Sequence, residues 1–484
     1  MKKFFHLPLV AAVFLFGTAC DDQLDVNTDP LAATQVDANL LFPEIVVNFS
    51  NIRESELDAR IGTIPQYYEP AFGVIGDYFL GTRSNTFLMG NVWANIYTDV
   101  LKNAALMERT ALEAEPGTQN NILAQAQIMK SLAFWQATML YEDVPYTEAA
   151  DFVTELPAFD RQEDILRGLI SDLDNAMSLI DEESTRVEAG DLVYGGDMEA
   201  WRIAANSLKF KILMYIANKD EGGVSGQIES TVAAGLMETA DQNAQLDYLD
   251  SPGNFNPFWA ILNNFAGGIN PTWYIASNAS FSLIAGLNDP RLDIYYDESN
   301  DDATVGTGQY GPSVNPGSFS GAGGAAAILS DQTLIRPDRP DTYIVASETQ
   351  LLLAEAIKRG LVEGDAQEAM ARGIRASIDE YDGTAGEVSD DVVTEYIESL
   401  DNVNDDDESG ALRTIREQLY IANFERLPDG WAEWRRTKVP TLTTPAGSQV
   451  AGIVRRFFYP PDEVGANPGA PATKPLDAPM WYEN

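Results

Sequence analysis

The sequence predicts an all-α protein made of tetratricopeptide-like helical hairpins with long irregular ligand-binding loops. Apolar residues recur at spacings of three and four wherever the pattern is regular. Many of these apolar faces carry small side chains, which allow helices to pack closely. Between about residues 250 and 340 this pattern gives way to Gly, Pro, Asn, Ser and aromatic residues. No exact repeat period is visible, so any hairpin repeats are degenerate.

The first 19 residues have the layout of a secretory signal peptide. Lys2 and Lys3 precede the apolar run 7–16, which is too short to span a bilayer as a mature helix. Small residues then lead to Cys20, the only cysteine, which we interpret as a lipid anchor. The alternative is an ordinary cleaved signal with an incidental cysteine. Residues 20–37 are predicted to be the lipidated cysteine and a tether, and residues 38–484 a single helical domain.

The clearest helix is predicted over Asn121–Tyr141. Its apolar residues share one slim face and are Ile122, Ala126, Met129, Ala133, Ala137 and Leu140. A second helix is predicted to open at Asp160, because Asp160 and Glu163 have the spacing of a capping box. The segment between the two helices, Glu142–Phe159, contains two prolines and is predicted to be a connecting loop.

Further helices follow from the same periodicity. They are predicted over Met198–Asn218, Tyr343–Arg359, Ala366–Tyr381 and Gly410–Phe424. The stretch from about 250 to 340 is predicted to be an irregular insert, and long loops of this kind are often where ligands bind. The Pro- and Gly-rich stretch from Pro440 onward is predicted to pack back on the helices as a structural tail.

Composition and charge exclude several classes of partner. The formal net charge of −43 repels nucleic acid and anionic lipid. Apolar content of 45% with 22% charged residues indicates a folded, globular chain. The carboxylates are spread over the whole chain, which suggests a salt-rich habitat where self-repulsion is screened. An acidic but ordinary surface is the alternative.

The chain has few of the side chains that most enzymes need. Its only histidine, His6, and its only cysteine, Cys20, both belong to the proposed signal and anchor. Catalysis by Ser-His-Asp or Cys-His groups and the common zinc sites are therefore excluded from the mature chain. We expect no enzyme, no catalytic residue, no metal and no cofactor. Two alternatives stay open: a carboxylate pair acting as a glycoside hydrolase, and calcium at the acidic runs 297–302 or 404–408.

Eight short motifs occur in the same order as in one known family. They are LDVNTDP at 24–30, YEDVPY at 141–146, DLDNA at 172–176, ANSLK at 205–209 after Trp201, NDPRL at 288–292, LAEA at 353–356, WRRT at 434–437 and RFFYP at 456–460. Through them nearly the whole chain resembles the SusD/RagB family of outer-membrane nutrient-binding lipoproteins, in particular its SusD-like branch. Glu142 departs from the pattern, since the family has glycine at this position.

The resemblance implies a function that composition and periodicity do not reach. It implies a helical body whose loops form a ligand platform. It also implies a partner, a SusC-like TonB-dependent outer-membrane transporter, which the surface-exposed lipoprotein caps as a lid. Trp201, Arg291 and Arg435 are motif residues that we expect to hold helices and loops together instead of touching ligand.

Two aromatic segments are predicted to bind the nutrient, because sugars stack on aromatic rings while Asn and Arg bond their hydroxyls. The predicted ligand-binding residues are Tyr67, Tyr68, Phe72, Tyr78, Arg83, Asn85, Trp259, Trp273 and Tyr274. Core packing is the alternative for these rings, and it is favoured for Trp93 with Tyr97, four residues apart on a helix. The expected ligand is an oligosaccharide in preference to a peptide. A structural lid without its own ligand site also stays open.

Overall fold

The computed structural model describes residues 37–70, 86–265, 274–297, 327–405 and 407–483. Residues Ala38–Asn484 form one compact unit. The predicted all-α class is confirmed, because helices make up most of the described chain and its strands are two to four residues long. No helix within these ranges is long and apolar enough to cross a membrane.

The described part of the first half of the chain is mainly helical and includes the longest helix, α7. Its helices are α1 (Ala38–Ile52), α2 (Asp58–Ile61), α3 (Thr86–Ala94), α4 (Lys102–Glu113), α5 (Asn120–Tyr141), α6 (Gln162–Leu179) and α7 (Met198–Ala233). Two π-helical segments, Arg53–Leu57 and Asn95–Leu101, join α1 to α2 and α3 to α4. Consecutive helices α4 to α7 pack on one another in chain order, as helical hairpins do.

The second half alternates short helices with strands. Its helices are α8 (Pro257–Phe265), α9 (Asn278–Gly286), α10 (Leu292–Tyr295), α11 (Ala346–Lys358), α12 (Ala366–Asp379), α13 (Asp390–Ser399), α14 (Glu408–Ala422), α15 (Leu427–Thr437) and α16 (Pro461–Ala466). Helices α11 and α12 form a close hairpin that also packs on α14. The hairpin is close because Gly373 of α12 leaves no room for a side chain: a Cβ there would lie 2.6 Å from Leu351 Cγ.

Within the described ranges the strands form three small antiparallel sheets. They are β1 (Tyr68–Pro70), β2 (Val144–Pro145), β3 (Phe159–Asp160), β4 (Ala244–Leu246), β5 (Tyr274–Ala276), β6 (Tyr296–Asp297), β7 (Ile328–Leu329) and β8 (Asp341–Ile344). The order β1-β5-β7-β6 makes a four-stranded sheet, while β2 pairs with β3 and β4 with β8. In the larger sheet Tyr68 lies opposite Ala276 and Pro70 opposite Tyr274.

Helix starts are where the structure differs most from the sequence prediction. Asp160 does not cap α6, because its carboxylate accepts the backbone N–H groups of Tyr146 at 3.0 Å and Thr147 at 2.8 Å. The first N–H of the helix, at Gln162, donates instead to Asp143 Oδ1 at 3.0 Å. An acceptor from the preceding loop therefore replaces the predicted local cap.

Two other segments also differ from expectation. The helix predicted to start at Tyr343 begins only at Ala346, because residues 341–344 pair with β4 as strand β8. The helix predicted to end at Asn218 continues to Ala233 past a kink at Asp220, whose φ of −138° is not helical. Within the predicted irregular insert, the described residues form α8 to α10 and strands β5 to β7.

Aromatic side chains join the four-stranded sheet to the helices. Phe424, just after α14, stacks on Tyr295 with ring centroids 4.2 Å apart and also contacts Tyr67, Tyr68 and Tyr296. All five rings are buried. This cluster fixes the four-stranded sheet against α14.

Candidate functional site

A shallow groove of about 380 Å³ runs between the first helical segment and α8. Its walls are Asn51 and Ser55 on one side and Gly253, Phe255, Pro257, Ala260 and Ile261 on the other. The ring of Phe255 lies 4.7 Å from that of Trp259, with the two planes inclined by 50°. Both rings are half-buried, so each keeps an accessible surface. Half-exposed aromatic rings beside polar side chains suit the apolar face and the hydroxyl groups of a sugar.

Asn256 holds the aromatic wall of this groove in place. Its Oδ1 accepts the backbone N–H of Phe258 at 2.9 Å and that of Trp259 at 3.2 Å, which caps the start of α8. Its Nδ2 donates to Glu54 Oε2 at 2.7 Å and to the carbonyl oxygen of Arg339 at 3.0 Å. Asn256 is fully buried, so it acts on the groove through positioning.

Beneath the groove lies a buried ionic cluster that begins in the π-helical segment. Arg53 Nε lies 3.2 Å from Asp341 Oδ1, and Arg339 Nη2 lies 3.0 Å from Asp58 Oδ2 and also contacts Glu54. Ile52, Arg53 and Glu54, at the junction of α1 and the π-helical segment, are all buried. Burial raises the pKa of Asp58 to about 7, although Arg339 acts in the opposite direction.

Three of the predicted ligand-binding rings lie in the core. Tyr67 stacks on Tyr420 with centroids 4.3 Å apart, and its hydroxyl donates to the carbonyl oxygen of Tyr420 at 2.8 Å. Tyr68 and Tyr274 pack edge to face, 4.8 Å apart, on neighbouring strands. All three are at most 2% exposed, so a ligand reaches their faces only if the core opens. These three rings therefore pack in the core, which was the alternative to ligand binding.

Most of the other predicted residues lie outside the described ranges. Trp259 is described and does not itself line the groove, but its ring contacts that of Phe255, which does. Phe72, Tyr78, Arg83, Asn85 and Trp273, together with the lipidation candidate Cys20, lie outside the described residues. Pro70 and Tyr274, which border two of these ranges, face each other in the β1–β5 pair. Phe255 was missed by sequence reasoning, although its place four residues before Trp259 was a usable signal.

The family-motif residues hold the scaffold together, as predicted. Trp201 donates its indole N–H to Asp191 Oδ2 at 2.7 Å. Arg291 is fully buried between Asp289 and helices α12 and α14. Arg435 donates to the carbonyl oxygens of Met139 and Arg455, at 2.7 Å and 2.6 Å. Trp93 is also buried, where its ring packs against Tyr97 and Tyr141.

Among the residues that the structure describes, no group of three or more His, Cys, Asp and Glu side chains is arranged to hold a metal ion. The acidic runs 297–302 and 404–408 are only partly described, at 297 and at 404, 405, 407 and 408. The candidate site within the described ranges is therefore an aromatic and polar groove.

Helical hairpins that carry a shallow aromatic groove are the architecture of a ligand-binding protein. The sequence from residue 30 to residue 460 matches the SusD-like family described as "Starch-binding associating with outer membrane", and the chain belongs to this family. The family prediction made from the eight motifs is thus confirmed.

Solved structures share the fold over almost the whole chain. A chitin-binding protein is 24% identical, with a TM-score of 0.76, over 92% of this chain and 99% of its own. A SusD-like protein of Bacteroidetes AC2a is 19% identical, with a TM-score of 0.78, over 93% and 100%. A SusD/RagB family protein of Bacteroides thetaiotaomicron is 19% identical, with a TM-score of 0.77, over 93% and 99%. No curated protein sequence matches this chain.

Proposed function

We propose that this protein is a surface-exposed outer-membrane lipoprotein, anchored through Cys20, that captures an oligosaccharide and delivers it to a SusC-like TonB-dependent transporter as its lid. The observation that carries the proposal is the groove lined by the half-buried ring of Phe255 beside Asn51 and Ser55, with the ring of Trp259 packed against that of Phe255. The family description as starch-binding and outer-membrane-associated supports both the ligand class and the location.

The position of the groove supports a site that extends over several sugar units. Asn256 links the start of α8 to Arg339 and Glu54, and Tyr68 at the end of the same buried cluster begins the β1–β5 pair. Asn256 and Tyr68 therefore both contact the buried ionic cluster, Asn256 through Glu54 and Tyr68 through the hydrogen bond that its hydroxyl donates to the carbonyl oxygen of Asp58. An oligomer binds more tightly than a single unit when such positions act together.

The binding part of the proposal is tested with the double variant Phe255→Ala/Trp259→Ala. Retention of soluble starch and of chitohexaose is measured by affinity electrophoresis and calorimetry against the unaltered protein. We expect binding of the preferred glycan to weaken about tenfold or more, since each lost ring contact contributes on the order of 1 kcal/mol. Phe152→Ala, which removes an aromatic ring that is 43% exposed, is the matched control.

Three results would count against the binding proposal. Unchanged retention by the double variant would move the glycan site elsewhere, and retention of neither glycan by the unaltered protein would favour a lid without a ligand site. Release of shorter sugars from a bound oligomer, abolished by one Asp or Glu substitution, would favour the carboxylate hydrolase. The partner is tested separately, by purifying the protein from detergent-solubilised outer membranes and identifying a co-purified TonB-dependent barrel by mass spectrometry.

A further inference from the structure

The groove beside α8 differs in charge from the rest of this acidic chain. Among the described residues, its lining includes no Asp, Glu, Lys or Arg side chain. Four other cavities in the described part of the chain each carry at least two acidic side chains. On a chain with a net charge of −43, a cationic ligand meets stronger partners elsewhere and an anionic ligand is repelled. The lining of the groove therefore favours an uncharged ligand.

The start of α8 does not offer donors to an anionic sugar either. Pro257, its first residue, has no backbone N–H. The N–H groups of Phe258 and Trp259 both donate to Oδ1 of Asn256. The next N–H, of Ala260, donates to the carbonyl oxygen of Asn256 at 2.9 Å. A carboxylate or sulfate on a glycan would lose its water here without gaining a donor from this helix start.

The polar wall of the groove presents an acceptor and a donor four residues apart. Ser55 donates its hydroxyl to the backbone carbonyl oxygen of Asn51 at 2.5 Å, so the Ser55 oxygen remains able to accept a hydrogen bond. The side chain of Asn51 is exposed and its amide supplies N–H groups. The N–H and C=O of a trans amide point away from each other. One secondary amide of a ligand can therefore donate to Ser55 and accept from Asn51.

The opposite wall of the groove is apolar. It consists of the side chains of Phe255, Pro257, Ala260 and Ile261, all of them partly exposed. A hydroxyl group finds no hydrogen-bond partner among these side chains, whereas a methyl group gains free energy when it is buried against them. The groove thus faces an amide on one side and a methyl group on the other.

We propose that the groove selects an uncharged oligosaccharide whose units carry an acetamido group, which is an N-acetylhexosamine oligomer. The amide lies against Ser55 and Asn51, the methyl group against Ala260 and Ile261, and the apolar face of the sugar ring against Phe255. A glucan has only a hydroxyl at the same carbon and leaves the apolar wall uncovered. This inference rests on the proposed function, because it names the sugar that the same groove takes.

The test is titration calorimetry of the full-length protein with three hexamers that share a β-1,4 linkage and differ at carbon 2 of each unit. Chitohexaose carries an acetamido group there, cellohexaose a hydroxyl and the glucosamine hexamer an amine. The titrations are run in about 1 M salt, where the screening length is about 3 Å, so that general attraction of the amine to the acidic surface is suppressed. We expect chitohexaose to bind at least about tenfold more tightly than either of the others.

Two variants address the two walls of the groove. Asn51→Asp replaces the donor with a charge, and we expect it to weaken chitohexaose binding about tenfold. Ile261→Thr keeps a branched side chain but reduces the apolar surface, and we expect it to weaken chitohexaose about threefold without weakening cellohexaose. Asn175→Asp adds the same charge at an exposed helical position outside the groove and should leave binding unchanged. The thermal midpoint of each variant shows whether it is folded.

The outcomes separate this inference from the proposed function. Equal or tighter binding of cellohexaose or of the glucosamine hexamer would overturn the acetamido preference and leave glycan capture in place. Full chitohexaose binding by both Asn51→Asp and Ile261→Thr, each folded, would also overturn it. If neither the hexamers nor soluble starch are retained, the inference fails together with the proposed glycan capture.

Discussion

Glu142 and Arg456 form a buried ion pair between residues 314 positions apart, with Nη1 of the arginine 2.6 Å from Oε2 of the glutamate. Glu142 stands where the family has glycine, and its φ of 76° lies in the region that glycine prefers. The carboxylate also contacts Lys474. This chain therefore combines a strained backbone with an ion pair that glycine could not make.

The strained backbone and the ion pair at Glu142 together predict how the stabilities of two variants at this position are ordered. Glu142→Gly and Glu142→Ala both leave Arg456 without its carboxylate and should destabilise by roughly 3 kcal/mol. Glycine relieves the backbone strain, so Glu142→Gly should be more stable than Glu142→Ala by about 1 kcal/mol. Urea unfolding measures both. At the exposed helical position Glu229 the order should reverse, because glycine is the poorer helix former there. An alanine variant equal to or better than glycine at position 142 would contradict this account.

A second buried pair joins the LAEA and WRRT motifs. Arg436 Nη1 and Nη2 donate to the two carboxylate oxygens of Glu355 at 2.8 Å and 2.6 Å, and both side chains are fully buried. Arg436→Met should lower the free energy of unfolding by about 3 to 5 kcal/mol, because it leaves buried carboxylates short of a partner. The matched change Arg161→Met breaks an exposed pair with Asp164, in which the two side chains are 70% and 54% exposed, and should cost at most about 0.5 kcal/mol. Similar losses in both variants would show that burial does not decide the effect.

The buried cluster under the groove predicts a pH dependence of stability. The folded-state pKa of Asp58 is about 7, above its ordinary value of 3.8, so the folded protein holds more protons than the unfolded chain between these values. Stability from this group is present at low pH and is lost as the pH rises toward 7. Asp58→Asn should flatten the fall between about pH 4 and pH 7, as measured by urea unfolding at several pH values.

We expect Asp58→Asn to remove only part of the fall in stability with rising pH, because burial also raises the pKa of Glu54 in the same cluster. If Asp58→Asn instead steepens the loss of stability with rising pH, then the carboxylate is ionised in the folded protein and Arg339 outweighs burial.

The α11–α12 hairpin depends on one glycine. Gly373→Ala places a Cβ 2.6 Å from Leu351 Cγ and 3.0 Å from the carbonyl oxygen of Ser347, so the helices must separate. We expect the free energy of unfolding to fall by about 1 to 3 kcal/mol. Gly226→Ala in α7 meets no atom within 4 Å and should instead stabilise by about 0.5 to 1 kcal/mol. Thermal unfolding of both variants measures the difference, and a stabilised Gly373→Ala would contradict the close packing.

The sequence predicted what depends on local patterns. The helix at Asn120–Tyr141 was placed within one residue, because six apolar positions repeat at helical spacing along it. The start of α6 was wrong, since its first N–H is accepted by Asp143, nineteen residues earlier. Strand β8 was also missed, because its four residues are extended only by pairing with β4, about a hundred residues away.

The candidate site was predictable only in part for the same reason. Trp259 and its segment stand out in composition, but the burial of Tyr67 and Tyr68 follows from Tyr420 and Phe424, far along the chain. The ring of Tyr274 is covered in turn by Tyr68, which comes about two hundred residues earlier. The contact between Glu54 and Arg339 joins residues 285 positions apart. Charge count and periodicity carry no information on which of 74 acidic residues pair inside the protein.

The four-stranded sheet limits the order in which the chain can fold. Strand β1 has no neighbour until β5 exists, and the Ser280 hydroxyl that donates to the carbonyl oxygen of Tyr67 comes 213 residues later. Synthesis runs from the amino end, so the segment 67–70 must wait for its partners, with Tyr67 and Tyr68 unburied, while the α4 to α7 hairpins can form from local contacts. A chaperone that binds the nascent chain would act during this interval, on apolar side chains that are buried in the folded protein.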